Sequence, residues 1–186
     1  MSKKIDEAIK FAVDAHSGQR RKLSGEPYVL HPLEVAAIVG HMTTDEDVIC
    51  AALLHDVVED AGLTLIKIQA LFGERVAELV ASETENKRPE MSAEDSWQIR
   101  KEESIAALRE SKDIGVKMVW LGDKLSNARS VFREWKRRGD LVWQGFHQKD
   151  KSKHEWYYRS VAEAVEPYLG ETAAYMEFTA ILDMIF

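Results

Sequence analysis

The chain has 186 residues, enough for one domain with a substantial core, and its 45% hydrophobic and 31% charged residues are ordinary for a globular protein. A formal net charge of −7 argues against broad nucleic-acid binding; no apolar run approaches the roughly 20 residues that span a bilayer, and the N-terminus lacks a secretory signal. The single cysteine, Cys50, excludes an internal disulfide and sits in an apolar run suited to a packed thiol, so a cytoplasmic enzyme is the simplest expectation.

Apolar residues recur at helical spacing and strand-like alternation is rare, which predicts an all-α fold. The first helix is predicted over about Ile5 to His16, with Ser2 as N-cap and Ile5, Ile9, Ala12 and Val13 inward. Gly18 ends it, and Gly18 to Tyr28 reads as an ordered loop. This loop carries Gln19-Arg20-Arg21-Lys22, a basic cluster in an otherwise acidic chain. It is either a solvated loop or a patch for a small, strongly anionic substrate. His31-Pro32 opens the second helix, because proline suits a first turn. Thr43 or Thr44 caps a third, running through Val48, Ala51, Leu54, His55 and Val58.

Thr64 caps the next helix, Phe72-Gly73 closes it, and another runs from Glu74 to about Ser82. Glu83 to Met91 is polar, contains Pro89 and reads as a loop. Ser92-Ala93-Glu94-Asp95 resembles a capping box that opens a helix to about Ser111. Asp113 caps a long helix that reaches Arg138 and ends at Gly139. Two more are predicted near Ser152–Tyr168 and Glu171–Ile185, separated by Pro167 and Gly170. With no internal repeat or flexible linker, residues 1–186 read as one domain, with a motif-bearing core at about 5–131 and C-terminal helices at about 149–186.

The chemistry concentrates in Leu53-Leu54-His55-Asp56-Val57-Val58-Glu59-Asp60. On a continuous helix, positions three or four apart share a face, so His55, Asp56, Glu59 and Asp60 would crowd one side. Burying three carboxylates together is costly unless a cation or protons compensate them. A His-Asp dipeptide alone is weak evidence; the added acidic pair and the apolar brackets strengthen it. His31, at a helix start, and Asp123, inside the apolar Val119-Trp120-Leu121-Gly122-Asp123-Lys124-Leu125, complete a ligand set for one divalent cation. Two imidazoles and two carboxylates suit Mn²⁺, Fe²⁺, Zn²⁺ or related ions.

His31, His55-Asp56 and Asp123 resemble the signature of the HD phosphohydrolase superfamily, an all-α fold. More narrowly, Gln19 to Lys22, Pro27-Tyr28-Val29-Leu30-His31-Pro32, Ala51 to Asp60 and Asp123-Lys124-Leu125-Ser126-Asn127-Ala128-Arg129 resemble the hydrolase domain of RelA/SpoT-type alarmone enzymes and their small stand-alone relatives. The resemblance implies removal of the 3′-pyrophosphate from guanosine 3′,5′-bis(diphosphate), usually with Mn²⁺. It implies that Glu59 and Asp60 are the catalytic acidic pair, acting on the attacking water. Arg20, Arg21 and Lys22 are candidates for phosphate charge, and Asn127, four residues beyond Asp123, for the nucleotide. The expected partner is a small anionic nucleotide, with no nucleic-acid polymer and no membrane; a homo-oligomer is left open.

Several residues depart from the family pattern. Gly122 stands where alanine is common, at a helix-propensity cost of about 1 kcal/mol, and Ala61 where threonine is common. Ser126 replaces a larger residue, which is expected to alter the nucleotide pocket. Glu83-Thr84-Glu85-Asn86-Lys87 only approximates the usual Val-Thr-Asp-Asp-Lys. These changes leave open adenosine alarmones or other nucleotides, cleaved by a nucleotidase or phosphodiesterase, and a non-catalytic nucleotide sensor. Trp156 and its aromatic neighbours read as core or interface residues, and Lys149, Lys151, Lys153 and Arg159 as a solvated face. His16 and His41 lack acidic partners in sequence and are not counted as ligands; Lys124 points away from Asp123's face and is a candidate to pair with a carboxylate, and Arg129 reads as structural.

Overall fold

The computed structural model describes residues 3–86 and 88–186; Ser2, expected as a cap, and Lys87 lie outside the described residues. The helices in chain order are α1 (Lys3–Ala15), α2 (Leu30–Gly40), α3 (Glu46–Leu54), α4 (Val57–Asp60), α5 (Leu65–Phe72), α6 (Glu74–Glu83), α7 (Trp97–Glu110), α8 (Ile114–Arg138), α9 (Lys151–Leu169) and α10 (Ala173–Ile185). A short 3₁₀ segment, Gly139–Gly145, follows α8 and has no counterpart in the sequence reading. No β-strand occurs among the described residues; one isolated bridge, Arg20 to Pro27, closes the basic loop on itself. No described helix is long and apolar enough to cross a membrane.

Helix α8 is the axis on which α2, α3, α6, α9 and α10 pack. Its boundaries follow from its ends. Asp113 accepts a hydrogen bond from Gly115 N at 2.9 Å, and Gly139, at φ +58°, supplies the backbone turn that stops the helix. Between these ends Val119, Leu121 and Leu125 are wholly buried, and Trp120 donates its indole N–H to Ser82 O at 3.2 Å, tying α8 to the end of α6. Lys117 is also buried; its ammonium donates to Leu108 O, an orphan carbonyl in the last turn of α7, and lies 4.9 Å from the Tyr168 ring centroid.

Three sequence expectations need correction. Asp45, not Thr43 or Thr44, caps α3, its carboxylate accepting from Asp47 N at 2.9 Å. Ser92 and Asp95 do pair as a box, Ser92 Oγ accepting from Asp95 N at 3.0 Å and donating to Asp95 Oδ2 at 2.7 Å. They close a turn over residues 93–96 that leads directly into α7 at Trp97, Ser96 N donating to Ser92 O at 3.0 Å. Pro167 lies within α9 rather than between helices: its ring removes one N–H, and the last turn still closes through Gly170 N to Glu166 O at 2.9 Å.

The close approach of α2 to α8 explains Gly122. A Cβ there would meet Val39 Cγ2 at 2.9 Å and Val35 Cγ1 at 3.2 Å, both on valines with no exposed surface. Val35 and Val39 follow His31 at i+4 and i+8, so the contact that needs glycine also brings His31 toward Asp123, the neighbour of Gly122. Gly122→Ala gains about 1 kcal/mol of helix propensity, but overpacking costs about 1–3 kcal/mol. A net loss of about 1 kcal/mol is expected, read as a lower urea midpoint at unchanged slope. An unchanged or raised midpoint would show that the valines yield.

Candidate metal centre

Three elements bring the ionisable residues together: the first turn of α2 (His31), the junction of α3 and α4 (His55 and Asp56), and the middle of α8 (Asp123). The junction corrects the assumption of one continuous helix through Asp60. Helix α3 stops at Leu54, and His55 and Asp56 form a turn with Asp56 at φ −94° and ψ −6°. One helical turn still joins Asp56 to Asp60 across the break, Asp60 N donating to Asp56 O at 2.9 Å.

His31 Nε2 lies 3.0 Å from Asp123 Oδ1 and 3.4 Å from Asp56 Oδ2. His55 Nε2 lies 3.1 Å from Asp56 Oδ2 and 3.6 Å from Asp123 Oδ1. Donor atoms of His31, His55 and Asp123 all fall within 4.8 Å of one another. Bonds of about 2.0–2.2 Å from a shared ion separate neighbouring donors by roughly 3.0–3.5 Å, close to these spacings. A second observation fits the same ion. His55 Nδ1 bonds to Ala52 O at 2.8 Å, and because a carbonyl only accepts, Nδ1 carries a proton, so in the neutral ring that a bound cation requires, the Nε2 lone pair faces the cluster. That buried Nε2 faces the Asp56 and Asp123 carboxylates, which a shared cation would bridge to it. The donor set suits a divalent cation.

The electrostatics are those of a compact charged cluster. Burial opposes charging His55, yet Asp56 and Asp123 beside it raise its pKa well above the usual imidazole range. Burial likewise opposes ionising Asp56, but His55 and His31 hold it well below the carboxylate range. Asp123 is held low in the same way, chiefly by Lys124 and then His31. The Lys124 ammonium does pair with a carboxylate, but with Asp123 Oδ2 and not away from that residue's face, and it lies 3.9 Å from Glu83 Oε2. Glu83 itself is pushed up to about 8, by burial foremost.

Two cavities adjoin this cluster. The smaller, about 200 Å³, opens on His31, Asp56, Asp123, Glu59 and Glu83. The larger, about 570 Å³, contains Asp60 and the basic loop, and its far wall comes from Trp97, Phe146, Tyr157 and Tyr158. Glu59 lines the smaller cavity and Asp60 the larger, and the two adjoin through Tyr28, Lys101, Lys124 and Asn127. Glu59 Oε1 accepts from Glu85 N at 2.5 Å, while Asp60 Oδ2 lies 3.0 Å from the Tyr28 hydroxyl. That hydroxyl is also 2.7 Å from Asp56 Oδ2, so Tyr28 ties Asp60 to a candidate ligand.

Arg20, Arg21, Lys22 and Asn127 all line the larger cavity. Asn127 donates to Asp123 Oδ1 at 2.6 Å and accepts from Arg21 Nη2 at 2.8 Å, linking the basic loop to the cluster. Arg20 donates to Gly25 O at 2.7 Å within its own loop. Ser126 lines neither cavity; it is buried behind His31, which corrects the expectation that it shapes a nucleotide pocket. Tyr157 and Tyr158 are buried as expected, but they also form cavity wall. Lys151 pairs with Asp140, and Arg159 with Glu155 and Asp183, away from the cavity lining. Sequence reasoning gave no role to Tyr28, although the tyrosine stands three residues before His31 in a motif already singled out. Lys101 and Trp97, on α7, carry no local signal that places them at this site.

The sequence pattern of the HD domain family matches residues 8–151. The chain is 39% identical over 139 residues to a protein of Aquifex aeolicus named guanosine-3′,5′-bis(diphosphate) 3′-pyrophosphohydrolase, covering 74% of this chain and 19% of that one. It is 40% identical over 141 residues to the bifunctional (p)ppGpp synthase/hydrolase SpoT of Escherichia coli, covering 73% and 19%. The chain thus spans about a fifth of the length of these curated relatives. Among solved structures, it is similar to one described as a metazoan ortholog of SpoT that hydrolyzes ppGpp, with a TM-score of 0.78 and 29% identity over 99% of this chain and 96% of that one. A Listeria monocytogenes protein gives a TM-score of 0.73 and 34% identity over 84% and 98%.

Proposed function

Because this chain belongs to the HD domain family, we propose that it is a metal-dependent phosphohydrolase that removes the 3′-pyrophosphate of guanosine 3′,5′-bis(diphosphate). One observation carries the substrate class. Among the described residues, the larger cavity is lined by Arg20, Arg21, Lys22, Lys101 and Lys124 against a single carboxylate, Asp60, in a chain whose net charge is −7. A cationic cleft in an acidic protein selects a small, highly charged anion. Its aromatic wall offers stacking faces to a purine. The relatives named above supply the specific nucleotide.

His31, His55, Asp56 and Asp123 would hold one divalent cation, a donor set that suits several first-row ions, and we propose Mn²⁺ because the family resemblance implies it. When bound, it would polarise the phosphoryl group and make water a better nucleophile near neutral pH. The chain's own groups do the rest. Glu59, on the cavity shared with the ligands, accepts the proton of the attacking water. Asp60, fixed by Tyr28, orients that water from the nucleotide side. Arg20, Arg21 and Lys22 neutralise the phosphates, and Asn127 exchanges its bond with Arg21 for one to the nucleotide. The products are guanosine 5′-diphosphate and pyrophosphate. We further infer that residues 1–186 act as one unit, since the larger cavity takes its walls from residue 19 to residue 158.

A turnover panel tests this reading: guanosine and adenosine 3′-pyrophosphorylated nucleotides, mononucleotides and cyclic nucleotides, each with Mn²⁺, Zn²⁺ or Mg²⁺. Fastest release of pyrophosphate from the guanosine 3′ position with Mn²⁺ is expected. Preference for the adenosine compound would reassign the base. Turnover of cyclic nucleotides alone would point to a phosphodiesterase, and binding without turnover to a sensor.

A further inference from the structure

The two histidines of the cluster are oriented by different means. His55 Nδ1 faces a backbone carbonyl, Ala52 O, which fixes its tautomer outright. His31 Nδ1 instead faces a hydroxyl, Ser126 Oγ, at 2.9 Å. A hydroxyl both donates and accepts, so by itself it leaves the imidazole proton on either nitrogen.

The ambiguity is resolved one residue further out. Ser126 Oγ donates to Glu34 Oε2 at 2.7 Å. The other oxygen, Glu34 Oε1, accepts from Arg129 Nη1 at 3.0 Å, and Arg129 is itself held by both oxygens of Glu177 at 2.6 Å. A carboxylate paired with a guanidinium only accepts, so the single hydroxyl proton of Ser126 points at Glu34. Its lone pair then faces His31, which must donate from Nδ1. In the neutral ring that a bound cation requires, His31 Nε2, 3.0 Å from Asp123 Oδ1, then turns its lone pair toward the cluster.

We propose that Glu34, Ser126 and Arg129 form a positioning relay that sets His31 as an Nε2 metal donor. The sequence carries its spacing: Glu34 follows His31 by three residues, Ser126 follows Asp123 by three, and Arg129 follows Ser126 by three. Two ligand-bearing helices thus turn their next same-face residues toward each other. Ser126, a departure from the family pattern, serves the metal ligand rather than the nucleotide. Outer partners of this kind typically govern about 10- to 100-fold in metal affinity. The inference rests on the metal reading of the cluster.

Glu34→Gln tests the relay because it keeps the shape and reverses the bonding. Arg129 retains the amide oxygen, so the NH₂ group faces Ser126, the hydroxyl turns its proton to His31 Nδ1, and the imidazole proton moves to Nε2. Dissociation constants for Mn²⁺ and Zn²⁺, from chelator competition, are expected to rise about 10- to 100-fold. Glu34→Met supplies no donor and should weaken binding less than Glu34→Gln. The reverse order, with Met the more damaging, would mean that Glu34 acts by packing and ion pairing and would overturn the relay. So would Glu34→Gln within two-fold of wild type. If the wild-type protein bound no divalent ion, the metal reading would fail and the relay with it.

Discussion

Asp56→Ala is expected to remove stoichiometric metal binding and to lower kcat/KM by about three orders of magnitude or more, since several kcal/mol of transition-state stabilisation would be lost at about 1.36 kcal/mol per decade. Asp56 Oδ2 lies 3.1 Å from His55 Nε2 and 3.4 Å from His31 Nε2. Without it, one carboxylate remains against both imidazoles, and the Tyr28 hydroxyl keeps only Asp60 of its two carboxylate partners. Metal content per chain after dialysis, measured beside steady-state turnover, checks this. A variant that kept one tightly bound ion per chain would remove Asp56 from the ligand set.

Glu59→Gln should behave differently, and the contrast separates holding the metal from moving the proton. Glutamine has the same shape, and its carbonyl can still accept from Glu85 N. Metal affinity should stay within a few-fold of wild type while kcat falls about 10²- to 10⁴-fold, the usual contribution of a positioned general base. KM should change little, because Glu59 opens on the smaller cavity and not on the cleft that carries the basic loop. Full activity in this variant would move the proton-accepting role elsewhere. Parallel loss of metal and turnover would make Glu59 a part of the ligand set.

What could be read from the sequence depended on how local its cause was. Helix α8 was legible to the residue because both of its ends are local devices, an Asp113 cap and a glycine at positive φ. His31, His55, Asp56 and Asp123 were legible as a group because each is an ionisable residue beside apolar ones that fill the core. The break after Leu54 was not, since Ala51 to Leu54 and Val57 to Val58 read as one apolar run across it. Glu59 and Asp60 line adjoining cavities that share Tyr28, Lys101, Lys124 and Asn127, a placement that comes from packing and not from local pattern.

Ser126 shows the other limit. Its residue type was noticed as unusual, but its contacts, His31 and Glu34, lie 95 and 92 residues away. Only the packing of α2 on α8, closest at Gly122, shows that it serves a ligand rather than a nucleotide. The far cavity wall is similar. Tyr157 and Tyr158 looked like core and they are buried, whereas Trp156 beside them is exposed; the cavity runs along one side of the buried pair. Neither propensity nor periodicity carries such long-range placement, which comes from tertiary packing.

Hydrolysis in ¹⁸O-labelled water, followed by ³¹P NMR, tests most directly the claim that this site cleaves a 3′-pyrophosphate as a unit. With Mn²⁺ and guanosine 3′,5′-bis(diphosphate), attack at the inner phosphorus should give guanosine 5′-diphosphate with an unlabelled 3′-hydroxyl and pyrophosphate carrying one ¹⁸O. Label appearing in orthophosphate, or no pyrophosphate released from the 3′ position, would contradict the account.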